Sequence, residues 1–169
     1  MELQSVRQER LVSRWRFLED EADPSCVLTR SMEVLYLNAA ARTLVPLRWF
    51  GCRCWEIFPV GDESCVSRCP AVKAVNKSED IVYCEETLYS KEDGSPIRVG
   101  VAVIPLSSDG REEEKALLLI RPKAAGSLEA DFQRSLLERA GVLRASLIGR
   151  PSNRSPRKRS KRASSNSIR

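Results

Sequence analysis

The chain has 169 residues, 42% of them apolar and 30% charged, with a net charge of +5 and no histidine. That size and composition suit one globular domain with appendages, and no window approaches the roughly 18 uncharged apolar residues of a membrane span. Without histidine there is no Ser–His or Cys–His catalytic pair, no histidine phosphoacceptor and no usual proximal haem ligand, so the chain is not expected to be an enzyme.

The charge is unevenly placed. Residues 150–169 hold eight Lys or Arg and no acid, and subtracting these from the net +5 leaves residues 1–149 at −3. A mildly acidic body with a basic arm is therefore expected. The stretch Met1–Arg7 lacks the apolar core of a signal peptide, which points to the cytoplasm and to cysteines that stay mostly reduced.

In chain order, Leu3, Val6, Leu11, Trp15 and Leu18 recur at three- and four-residue spacings and predict a one-sided helix within residues 1–21. Asp23-Pro24 ends it. This helix either packs on its own domain or forms a dimer cap. Ser25–Arg30 and Glu33–Leu37 read as a hairpin turning at Ser31-Met32. Asn38 is a good N-cap for the alanines that follow, and Pro46 closes that helix. Trp49–Phe58 is compact and aromatic. Pro70–Asn76 reads as a short helix with proline in its first turn. Ile81–Ser90, Ile97–Leu106 and Lys115–Arg121 read as three strands, separated by a turn at Glu92–Ser95 and a polar loop at Ser107–Glu114. The expected fold class is α+β: a five-stranded antiparallel sheet with helices on one face, flanked by N- and C-terminal helices.

Three stretches carry a family resemblance. Tyr36-Leu37-Asn38-Ala39-Ala40-Ala41 is similar to the strand-to-helix signature of PAS sensor domains. Lys91–Ile97 with Val99–Pro105, and Leu117–Arg121, resemble the closing strands of that family. The match covers residues 22–122. It implies a pocket between sheet and helices, sensing of a ligand or cofactor, and output through flanking helices to a second copy or a signalling partner, including control of transcription. Some bacterial members carry cysteines resembling Cys54, Cys65 and Cys69, although the gap Val66-Ser67-Arg68 here is one residue longer.

Four of the six cysteines (Cys52, Cys54, Cys65 and Cys69) fall within Gly51–Pro70. Thiolates converging on a soft metal would make these four a site for zinc or an iron–sulfur cluster. Cys65 and Cys69 are one helical turn apart and can point the same way, whereas Cys52-x-Cys54 suits an extended or turn segment. Arg53 and Arg68 sit beside them and favour thiolate. Three readings stay open: a metal or cluster site, a reversible dithiol switch, and plain packing of small apolar side chains. Cys26 and Cys84 read as core, and Cys84 shares strand parity with Val82 and Leu88, which places it at the pocket. Trp49, Phe50, Trp55 and Phe58 crowd the roof of that pocket, so a small or empty cavity is expected rather than one holding flavin or haem.

Ser127 is an N-cap ahead of Leu128, Phe132, Leu136 or Leu137, Ala140, Leu143 and Leu147, the stripe of a helix over residues 127–148. This helix serves as an output or dimer helix, or else folds back on the sheet; residues 123–149 form the corresponding segment. Residues 150–169 lack any apolar pattern and are expected to be disordered. In that tail Arg157, Lys158, Arg159, Lys161 and Arg162 are the candidates for contacts to a phosphate backbone, the alternative being a merely solvating arm.

Overall fold

Residues 13–45, 48–58, 69–77, 80–90, 92–106 and 115–148 are described by the computed structural model of the chain. Cys65, the loop at 107–114, the start of the N-terminal helix and the basic tail 150–169 lie outside them. Strands β1 (Ser25–Thr29), β2 (Val34–Leu37), β3 (Val82–Tyr89), β4 (Pro96–Leu106) and β5 (Lys115–Pro122) form one antiparallel sheet in the order β2-β1-β5-β4-β3. Helices α1 (Ala39–Arg42), α2 (Cys54–Ile57) and α3 (Pro70–Lys77) belong to one face, and α4 (Glu129–Ile148) is the long terminal helix.

Both faces of the sheet are covered, and the strands show it. A strand covered on both sides carries apolar residues at successive positions instead of alternating with polar ones. Every residue of β1 and β2 is buried, and in β5 Leu117 and Leu119 face one core while Leu118 and Ile120 face the other. The inner core joins Cys26, Leu28, Val99, Val101 and Val103 to residues of α1–α3. The outer core joins Val27, Ala102 and Ile104 to Trp15 and Leu18 at the N-terminus and to Leu136, Ala140 and Leu143 of α4.

The expectation of helices on one face thus holds for α1–α3, while α4 and the N-terminal segment lie on the other. Residues 129–148 pack back on the sheet through Leu136, Ala140 and Leu143. The predicted N-terminal helix ends in a 3-10 turn at Arg16–Leu18, which packs its Leu18 against the same outer face.

A notch in the sheet seats α4. A Cβ built on Gly100 would lie 2.5 Å from Phe132 Cε1, 3.1 Å from Tyr83 Cε2 and 3.2 Å from Leu136 Cδ2. Polar pairs then pin the helix along its length. Arg139 donates through Nε to both oxygens of Glu21, at 2.9 and 3.0 Å, and Arg121 spans from Asp23 (Nε to Oδ1, 2.9 Å) to Ser135 of the helix (2.9 Å). Lys123 bridges Glu85 of β3 and Glu129 in the first turn of α4.

Asn38 does more than cap α1. Fully buried, it accepts from the N–H of Ala41 (2.8 Å) and of Ser25 (2.9 Å), and its amide donates to the carbonyls of Glu21 (2.9 Å) and Asp23 (3.0 Å). All four side-chain bonding positions used by an amide in such a site are satisfied. One residue therefore ties the N-terminal segment, the start of β1 and α1 together.

Candidate functional site

The site is built around the inner core. Backbone bonds of Val34 N–H to the Cys52 carbonyl (2.9 Å), Gly51 N–H to the Val34 carbonyl (3.1 Å) and Cys54 N–H to the Met32 carbonyl (2.9 Å) hold residues 51–54 along the free edge of β2. Gly51 adopts φ 75° there, a conformation glycine takes without a Cβ penalty. The segment then turns into α2, whose first turn is closed by the Glu56 carboxylate accepting from Arg53 N–H at 2.6 Å. Cys54 is thus a helical residue, and the Cys52-x-Cys54 pair straddles a turn and a helix start. Cys69 directly precedes α3, where its carbonyl accepts from Lys73 N–H at 3.2 Å. Cys84 lies on β3 with its Sγ 3.8 Å from the Val101 carbonyl.

These elements border a partly open cavity of about 60 Å³ between α2, α3 and the sheet. Three thiols line it, those of Cys54, Cys69 and Cys84, together with Phe58, Leu88, Val99 and Ile120. Its one charged lining residue among those described is Glu86. The space holds on the order of four waters and is several times smaller than pockets that enclose drug-sized ligands or a flavin ring. Sequence parity anticipated the place of Cys84, and Phe58 is the roofing aromatic that reaches the cavity. Trp49 and Trp55 pack against the same core from its margin.

The chemistry of the thiols is set by burial. Desolvation pushes the Cys84 thiol up to about 12, with Glu86 and Cys69 adding to the effect. Desolvation likewise raises Cys26 well above the usual thiol range, and the neighbouring Cys54 adds to it. Thiolate, the nucleophilic and metal-binding form, is therefore disfavoured at these two positions.

The four predicted ligands fare differently. Cys54 and Cys69 meet at the cavity, Cys52 packs beside the same core with its Sγ 3.8 Å from the Arg48 carbonyl, and Cys65 lies outside the described residues. Among the described residues no three His, Cys, Asp or Glu side chains form a group that could hold a metal ion. The basic candidates Arg157, Lys158, Arg159, Lys161 and Arg162 are also outside the described residues.

The architecture matches solved structures widely separated in sequence. The chain is similar to the Rhodobacter sphaeroides LOV protein (13% identity, TM-score 0.54, covering 83% of this chain and 95% of that one). It is similar to the PAS domain of an HTR-like protein from Haloarcula marismortui (19% identity, TM-score 0.50, covering 73% and 100%). The chain has the PAS fold. A third likeness, to VqmA of Vibrio cholerae (11% identity, TM-score 0.52, 68% of this chain and 53% of that one), places the same PAS fold in a LuxR-type receptor with a target DNA. No family model matches the chain, and no curated protein does.

Within this PAS fold two features escaped the sequence reading. Glu86 stands on the cavity-facing side of β3, opposite Val99, by the same two-residue parity that located Cys84. A second cavity, of about 160 Å³, opens where α1 meets the β3–β4 turn. Among the described residues no helix is long and apolar enough to cross a membrane.

Proposed function

We propose that this PAS module is a non-enzymatic sensory protein whose input site is the thiol-lined inner cavity, and that it signals by changing its contacts with a second copy or a partner protein. The convergence of Cys54, Cys69 and Cys84, from three separate elements, on one cavity carries this reading. It also refines the proposed response of Cys52, Cys54, Cys65 and Cys69 to metal or oxidant. Because burial disfavours the thiolate of Cys84, a zinc ion or iron–sulfur cluster that used this sulfur would have to displace its proton, making loading dependent on pH.

Anaerobic reconstitution with iron and sulfide, and separately with zinc, followed by metal assay per chain, tests this reading. The expected result is stoichiometric metal in the native chain and loss of it when Cys54 and Cys69 become serine. No metal, together with an oligomeric state unchanged by mild oxidation or by those substitutions, overturns it. The charge of the tail supports a second reading, association with nucleic acid through Arg157–Arg162. Binding to a DNA duplex that is abolished by removing residues 150–169 and weakens steeply with salt would bear it out.

A further inference from the structure

The two margins of the sheet are finished differently. Residues 51–54 occupy the outer side of β2. β3 forms the other margin, and among the described residues its main chain bonds only to β4. It pairs with β4 over eight residues without a bulge and carries no proline or lysine. Edge strands are normally blunted by such devices or covered. Three successive residues, Glu85, Glu86 and Thr87, are exposed, whereas β1 and β2 are buried throughout.

The hairpin turn fixes which main-chain groups face outward. Ser90 N–H donates to the Ser95 carbonyl at 2.8 Å, which makes these two a hydrogen-bonded pair. Bonded and non-bonded pairs alternate along an antiparallel ladder. Val82, Cys84, Glu86 and Leu88 therefore bond to β4. Tyr83, Glu85, Thr87 and Tyr89 each turn one N–H and one carbonyl to the free edge.

Charge selects what can pair there. Residues 80–93 hold five acids and one base, a net charge of −4, and Glu86 has no ion-pair partner among the described residues. A second copy laid antiparallel and centred on β3 would set these glutamates against their own images, which is unfavourable. A basic strand is favoured, and the chain supplies one. Arg157–Ser164 matches β3 in its eight residues, five of them Lys or Arg, and no proline follows Pro156. The end of α4 lies beside the start of β3: Leu147 packs on the outer core as Ile81 and Tyr83 do, and Arg144 donates to Asp80 Oδ1 at 3.4 Å. From Ile148, residues 149–156 can span up to about 26 Å, about the length of an eight-residue strand. Either end of β3 is within their reach.

We propose that the free edge of β3 docks the chain's own basic arm, with Arg157–Ser164 added as a sixth strand. Its main chain meets Tyr83, Glu85, Thr87 and Tyr89, and its cations flank Glu85 and Glu86. An arm held there is withheld from nucleic acid, so the edge competes with the partner named in the second reading of the tail without depending on it.

Amide hydrogen exchange of the full chain at low salt, followed by NMR, tests this docking. The reference is the full chain carrying Arg157→Gln, Lys158→Gln, Arg159→Gln, Lys161→Gln and Arg162→Gln together. The outward amides of Glu85 and Thr87 are expected to exchange about tenfold more slowly in the native chain, while those of Glu86 and Leu88, already bonded to β4, change less. The difference should vanish in about 1 M salt, where the screening length falls to about 3 Å. Thr87→Pro removes an outward N–H at a place where edge strands accept proline. It should abolish the protection of Glu85 and leave the β1 and β5 amides protected. Equal exchange in the native and glutamine-bearing chains overturns the proposal. Protection that grows with protein concentration also overturns it, by marking a second copy on the edge. An added DNA duplex that binds the arm should restore fast exchange at Glu85 and Thr87. A duplex that does not bind, with the edge still protected, removes the nucleic-acid reading alone and leaves the docking in place.

Discussion

Gly100→Ala is the most direct test of how α4 is held on the sheet. The added methyl group would stand 2.5 Å from Phe132 Cε1, closer than real Cβ contacts, while its other neighbours at 3.1 and 3.2 Å are the ends of Tyr83 and Leu136 side chains. Overpacking of this kind costs about 1–3 kcal/mol, and the entropy lost by the unfolded chain when glycine becomes alanine returns about 0.4–1 kcal/mol. The net expectation is a destabilisation of about 1–2 kcal/mol, or a fall in Tm of roughly 4–8 °C for a domain of this size. Phe132→Ala removes the offending ring, so Gly100→Ala made in that background should cost close to nothing. Urea unfolding of the four proteins of this cycle, with hydrogen exchange of the α4 amides, reads both the energy and its location. An equal cost of Gly100→Ala with and without the Phe132 ring would refute the notch as the seat of the helix.

Four further outcomes follow from the contacts described. Asn38→Ala should cost about 3–5 kcal/mol, because the buried N–H groups of Ser25 and Ala41 and the carbonyls of Glu21 and Asp23 lose their partner together; chemical unfolding measures it. Arg139→Met strands the Glu21 carboxylate, whose side chain is 5% exposed, and should cost about 1–3 kcal/mol, less than the roughly 3–5 kcal/mol of a fully buried pair because Arg139 itself is 43% exposed. Gly141 has open space where a Cβ would sit, so Gly141→Ala should stabilise the protein by about 0.5–1 kcal/mol through helix propensity, read as a rise in Tm. For Cys84 the folded thiol titrates above its unfolded value of 9.0, near 12. Its contribution is therefore complete below the unfolded value and is lost as pH rises from there towards the folded one, and Cys84→Ala should flatten the fall in Tm measured across that alkaline range.

The sheet was readable from the sequence because local signals agreed with the tertiary ones. The turn residues Glu92–Ser95 bracket strands of the right length, and Asn38 followed by three alanines announces a helix start. What could not be read was which face α4 would choose. The stripe Leu136, Ala140 and Leu143 marks the side of the helix that is buried, with Val142 off it and 55% exposed, but a stripe does not name the surface it meets. The seat is decided instead by a glycine in β4 and by arginines 118 and 98 positions away in sequence from their acids. Such long-range pairs leave no periodic trace. Parity placed Cys84 at the cavity, but the same argument applied to Glu86 went unused because an acid on an apolar strand face reads first as an exposed edge residue. The second cavity lies where a helix end and a hairpin turn meet, a juxtaposition that no linear spacing encodes.

The two coverings of the sheet are fastened by different forces. The inner helices are joined to the strands by aliphatic, aromatic and thiol contacts, which added electrolyte strengthens if it changes them at all. The outer helix also relies on the ion pairs Arg139–Glu21 and Lys123–Glu129, partly open to solvent and subject to screening by counterions. Ionic strength is thus a one-sided lever on this molecule: raising it slackens the grip on the terminal helix while the apolar seat of the inner helices holds.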